Sequence, residues 1–119
     1  MDASTQRSLA RIISHGLVKA TAAEDPCDAV RTLLALQAQQ PSSVPWAINL
    51  RLRAPSIAQI DQAFENCLLV RSWPMRGTIH VTCAEDHHWL RLLLRHRYNG
   101  WLRSFEEEGL SRGLVKEAA

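Results

Sequence analysis

A chain of 119 residues with a formal net charge of +2 has room for one domain, large enough to bury a core without staples. It contains no run of ~18 uninterrupted apolar residues, and Met1-Asp2-Ala3-Ser4 shows no charged segment leading into an apolar one, so membrane insertion and secretion are not expected. Three cysteines, Cys27, Cys67 and Cys83, are odd in number and lack C-x-x-C spacing, which signals neither a disulfide framework nor a zinc site; they read as small buried hydrophobes in a reducing cytoplasm.

The charge balance alone does not announce a nucleic-acid binder. Its composition says more, because every basic residue except Lys19 and Lys116 is Arg, whose planar fork suits phosphates and base edges. Genomic base composition produces the same bias. Arg51, Arg53, Arg71, Arg76, Arg91 and Arg95 are the candidates for a basic face.

Taken in chain order, Ser4 or Thr5 can cap a first helix carrying Leu9, Ile12 and Ile13, which Gly16 ends. Asp25-Pro26 is a cap and first-turn pair for a second helix, expected to run until Pro41 forces Gln40 out of the α region. Ser42 or Ser43 opens a third helix with Trp46, Leu50 and Leu52, bounded by Pro55. Ser56 with Gln59 forms a capping box for a fourth, carrying Ile57, Ile60, Ala63 and Phe64. Residues 68–73 and 78–82 then switch to strand chemistry around the turn Pro74-Met75-Arg76-Gly77. Thr82 with Glu85 reads as another capping box, opening a long helix through Trp89, Leu90, Leu93 and Leu94.

The expected fold is therefore mainly α with a small β-hairpin: a winged helix, meaning a helix-turn-helix plus wing, with flanking helices. Residues 1–119 are read as one such domain with its core in 25–98, and 100–119 as the start of a continuation cut short. The helix in the recognition position carries Asp61 and Glu65 beside Gln59 and Gln62, so it makes a poor reader of a phosphate-lined groove.

At about 100° per residue, Val30, Leu33, Leu34 and Gln37 share one face of the expected second helix, so Gln37 stands where a leucine belongs. One account is a glutamine satisfying backbone groups at a helix end. The other is a water-lined reaction site. In an unbroken helix Gln37 and Gln39 would point about 200° apart, so joint use of the two amides requires a distorted last turn. His80 on the wing strand reads as a structural histidine, and Trp46, Trp73, Trp89 and Trp101 as core. His87 and His88 are adjacent and lie on different helix faces, so they make a poor metal pair, and no metal or cofactor is expected. Arg91 and Arg95, four apart, could follow a phosphate backbone.

The run Leu36-Gln37-Ala38-Gln39-Gln40-Pro41, followed by Val70-Arg71-Ser72-Trp73-Pro74-Met75-Arg76-Gly77-Thr78-Ile79-His80 and by Ala84-Glu85-Asp86 before Trp89, resembles the bacterial winged-helix DNA glycosylase family. That family unhooks interstrand crosslinks and excises N7-alkylated purines, one branch protecting producers of azinomycin-type antibiotics. The resemblance implies tandem winged helices embracing double-stranded DNA, and catalysis by a glutamine motif that assigns Gln37 and Gln39 as the catalytic pair. Family members are much longer, so later elements that close the lesion site are not expected within this sequence. A cytoplasmic, nucleoid-associated protein is implied by the same resemblance.

An N7-alkylated purine already carries positive charge, which leaves two tasks: placing a water against C1′ and stabilising an oxocarbenium-like sugar. A neutral amide can orient that water and turn its dipole to the developing charge. The carbonyls of a helix ending at Gln39 or Gln40 would favour a cation in the same place. Two other functions fit the same fold, a non-catalytic DNA-binding regulator and a protein-interaction domain. A dimer through residues 101–105 and the apolar Leu110, Leu114 and Val115 is the expected way to cover the C-terminal surface.

Overall fold

Local chemistry starts most of the helices where the sequence places them. The computed structural model describes residues 1–75, 77–94 and 107–109. Asp2, earlier than the expected Ser4 or Thr5, accepts the Thr5 N–H at 2.7 Å and begins α1 (Ala3–Ser14), and Gly16 at φ +70° turns the chain out of it. Asp25 accepts the Asp28 N–H at 2.9 Å and Pro26 sits in the first turn of α2 (Pro26–Arg31).

Helix α2 ends far short of the glutamine run, and this is the main correction to the expected element order. Leu34 takes the left-handed conformation at φ 62°, and the chain leaves it as a strand, β1 (Leu36–Gln37). Burial over residues 36–39 alternates in and out, Leu36 and Ala38 buried, Gln37 and Gln39 exposed. A period of two is present in Leu36-Gln37-Ala38-Gln39, but the helical spacing of Val30, Leu33 and Leu34 masks it. Pairing with a distant strand outweighs local propensity.

A tight turn, Pro41–Ser43, leads into α3 (Val44–Asn49) and then α4 (Ile57–Glu65), capped by Ser56, which accepts the Gln59 N–H at 3.3 Å. The hairpin comes next as β2 (Leu69–Met75) and β3 (Thr78–Cys83), and α5 (Ala84–Leu94) closes the described fold. Strand β2 runs through Pro74 and Met75, in place of the expected turn. The register slips by one residue between Ser72 and Met75, a bulge on an edge strand, where a missing N–H costs no ladder bond. Among the described residues the fold is thus five α-helices and a three-stranded antiparallel sheet of order β1-β3-β2, not helices with a lone hairpin.

One sheet face, with Leu36, Leu69, Val81 and Cys83, meets Val30, Ile48, Ile60 and Ala63 from α2, α3 and α4 to form the core. The opposite face is covered by α5, which packs on β2 and β3. The Thr82–Glu85 capping box does not form: the buried Thr82 hydroxyl has no hydrogen-bond partner among the described residues, and Glu85 pairs with Arg31. Arg31 also meets Asp28 at 2.6 Å and Asp86 at 3.9 Å, so one guanidinium ties α2 to α5.

Trp46, Trp73 and Trp89 are exposed instead of core. Val44 and Ile48 take the inner face of α3, and Leu90 takes that of α5, which turns their tryptophan neighbours outward. Cys83 is buried and its thiol donates to the Cys27 carbonyl at 3.2 Å, Cys27 is half-buried, and Cys67 is exposed; all three are free thiols. Burial, more than the neighbouring Cys27, pushes the Cys83 thiol up to about 11, as an inert core sulfur requires. No helix among the described residues is long and apolar enough to cross a membrane. Trp101, Phe105, Leu110, Leu114 and Val115, on which the expected dimer surface rests, lie outside the described residues.

Candidate active site on the outer strand of the sheet

Antiparallel register sets Gln37 directly opposite His80, and His80 directly opposite Ser72 on its other side. Residues so paired share a face, and this is the face roofed by α5. His80 is 1% exposed and its Nδ1 lies 2.9 Å from the Thr78 carbonyl, which can only accept; Nδ1 therefore carries the proton and donates it there. This is a structural histidine, held by its own strand. Ser72 Oγ lies 3.2 Å from His87 Nδ1 on α5, a contact that separate motifs on two elements give no means of reading. The roof stops short of β1: Gln37 is exposed while His80 and Thr82 beside it are buried.

The Gln37 amide thus stands at the open margin of the polar face. The buried position expected for it on a helical apolar stripe is not found, because the residue lies on a strand. The opposed directions expected of an unbroken helix do not arise: β1 ends at Gln37, and Gln37 and Gln39 are both exposed while Ala38 between them is buried. The change of element also removes the helix carbonyls expected to favour a cation there. Past the glutamines the chain enters the start of a helical segment, not the end of one.

Gln39 is engaged. Its Oε1 accepts the Ile79 N–H at 3.1 Å, next to the ladder bond from the Ala38 N–H to the Ile79 carbonyl at 2.8 Å. The Ala38 carbonyl accepts instead from Arg71 Nη2 at 3.2 Å. Gln40 Nε2 donates to Ser42 Oγ at 3.2 Å, and the Gln40 carbonyl accepts from the Ser43 hydroxyl at 2.8 Å, pinning the turn behind the motif.

Three of the arginines expected on a basic face have partners within the chain. Arg51 is half-buried and donates to the Ala47 carbonyl at 2.5 Å, and burial lowers its pKa. Arg53 pairs with Glu24 at 2.6 Å, and Arg71 is held on Ala38. Arg53 and Arg71 are exposed despite these partners. Arg91 is exposed and makes no hydrogen bond or ion pair among the described residues, while Arg76 and Arg95 lie outside them. No group of three or more His, Cys, Asp or Glu side chains able to hold a metal occurs among the described residues.

Burial first, then the charges of Arg91 and His88, lower the His87 pKa below its usual 6.5. The folded chain binds this proton more weakly than the unfolded chain does. Stability from His87 is therefore complete above the unfolded value and declines as pH falls through it toward the lower folded value. Urea unfolding at about pH 7.5 and about pH 5.5 should show a lower midpoint at the acid value, with the difference reduced in His87→Asn. An equal difference in the variant would assign the acid sensitivity elsewhere.

In structure the chain is similar to the Streptomyces sahachiroi DNA glycosylase AlkZ, with a TM-score of 0.57 and 26% identity, over 70% of this chain and 22% of that protein. The chain thus spans about a fifth of that relative's length. No curated protein matches. The sequence model of the AlkZ-like DNA glycosylases matches residues 30–118, a span that includes the glutamine run, the hairpin and α5; the chain belongs to the AlkZ-like DNA glycosylase family.

Proposed function

We propose that this chain is a winged-helix module of a DNA-repair glycosylase that hydrolyses the N-glycosidic bond of N7-alkylated or crosslinked purines. The winged-helix reading is supported by connectivity: helix, short strand, two helices and a hairpin, with the short strand paired to the returning hairpin strand. The observation that carries the catalytic reading is the exposure of Gln37 at the end of the outer strand, opposite the buried His80 and two residues before Gln39. The leaving purine is already cationic, so no strong acid is needed. Gln37, exposed and without a hydrogen bond among the described residues, has its oxygen available to orient a water toward C1′ and to face the developing positive charge.

Double-stranded DNA is the proposed partner. Arg91, exposed on α5 and unpaired among the described residues, is the first candidate for phosphate contact, beside the exposed Arg53 and Arg71. Arg91→Ala should weaken duplex binding equally for all sequences and reduce the salt slope by about 0.9, the value for one lost phosphate contact. Superimposable isotherms of variant and parent would remove α5 from the interface.

The catalytic reading is tested by single-turnover release of N7-methylguanine from duplex DNA by this chain. Base release above the spontaneous rate is expected. Salt-dependent duplex binding without release would leave a DNA-binding module that does no chemistry, and absence of both would point to a protein-interaction domain.

A further inference from the structure

We infer that the two motif glutamines divide their work: Gln39 is a positioning residue whose carboxamide substitutes for a backbone carbonyl, Arg71 secures the carbonyl so released, and Gln37 is the member that meets the ligand. The inference rests on the glycosylase reading above for what Gln37 meets, but not for the clamp itself. In an antiparallel ladder a hydrogen-bonded pair exchanges two bonds, each N–H donating to the other residue's carbonyl. Ala38 and Ile79 occupy such a position, and only half of the exchange is present. The Ala38 N–H donates to the Ile79 carbonyl at 2.8 Å, but the Ile79 N–H goes to Gln39 Oε1 at 3.1 Å. A backbone N–H demands an acceptor, so the Gln39 amide must present its oxygen here. The Ala38 carbonyl, relieved of its ladder partner, is taken by Arg71 Nη2 at 3.2 Å, reaching across from the far edge strand.

The consequence lies in how β1 ends. Strand β1 is only Leu36–Gln37, and a strand so short on a sheet edge is weakly held. The exchange fastens the residue that follows it to both other strands, through Ile79 of β3 and Arg71 of β2. Gln37 is thereby gripped between its pairing with His80 and this double clamp. Anchored on the Ile79 N–H, the Gln39 carboxamide is fixed in orientation and has one lone pair of its oxygen already spent. Gln37 keeps its whole amide.

Amide hydrogen exchange and excision, measured on this chain, distinguish these roles. Gln39→Met keeps the length and removes the acceptor, so the Ile79 N–H should exchange about five- to tenfold faster than in the parent, as loss of one hydrogen bond predicts. Gln39→Glu restores an acceptor oxygen and should return Ile79 protection toward the parent. Arg71→Met should leave Ile79 protected while loosening the Ala38 region. In the excision assay Gln39→Glu should recover most of the rate that Gln39→Met loses, with the loss in kcat and little change in KM. Ile79 exchange in Gln39→Met equal to the parent would overturn the clamp. Restored protection in Gln39→Glu with excision no better than Gln39→Met would also overturn the inference, because the amide N–H would then be acting on water or substrate directly. A parent with no excision defeats the glycosylase reading, and the Ile79 exchange rates still decide the clamp.

Discussion

Gln37→Ala should lower base excision by about 10²–10³-fold, the cost of deleting one oriented dipole at a reaction centre, while changing stability by no more than about 0.5 kcal/mol. Both halves follow from the strand. An exposed side chain with no hydrogen bond among the described residues can be truncated without opening a cavity or stranding a partner, so a loss of activity cannot be charged to unfolding. The check is single-turnover excision alongside urea denaturation. Destabilisation by several kcal/mol would show that Gln37 supports the sheet, and an unchanged rate would take it out of the chemistry.

Ile48→Ala should have the largest effect on the fold, a loss of about 2–5 kcal/mol. Ile48 is 0% exposed on α3 and packs in the cluster with Val30, Leu52 and Ile60. A short helix of six residues has little stability of its own and is held by this burial. Against a typical total of about 5–15 kcal/mol, the loss leaves a chain partly unfolded at physiological temperature. Since α3 begins where the glutamine motif ends, the motif should loosen with it, visible as a lower urea midpoint together with faster exchange at Ala38 and Ile79. A shift below about 1 kcal/mol would mean that the site collapses around the missing methyls.

The legible part of the sequence is the part that neighbouring residues decide among themselves. Asp25-Pro26, Ser56 with Gln59, and Gly16 each satisfy or release backbone groups within one turn, and each acts where expected. The hairpin too is local, closed by Gly77 at φ +66°. The larger failures involve distant partners. Leu36 and Gln37 form a strand only because β3 returns beside them, and Leu34 must take a left-handed conformation for them to reach it. Glu85 abandons Thr82 for Arg31, a residue far back in the chain. Arg53 and Arg71 meet Glu24 and Ala38, partners that no spacing rule connects to them. The candidate catalytic pair is named by resemblance, and helical spacing misplaces its geometry. Alternation in four residues is the available signal, and it is too short to outweigh the helical spacing before it.

The open margin of the sheet, and not the outer face of α4, is expected to meet the damaged nucleotide. Titrating the chain with a duplex that carries a cationic iminosugar in place of one nucleotide, a mimic of the oxocarbenium-like sugar, and following the side-chain amide resonances by NMR tests this directly. The Gln37 amide should shift strongly and saturate with the binding isotherm, while Gln59 and Gln62 on α4, flanked by Asp61 and Glu65, stay in place. Shifts confined to Gln59 and Gln62, with Gln37 unmoved at saturation, would contradict it.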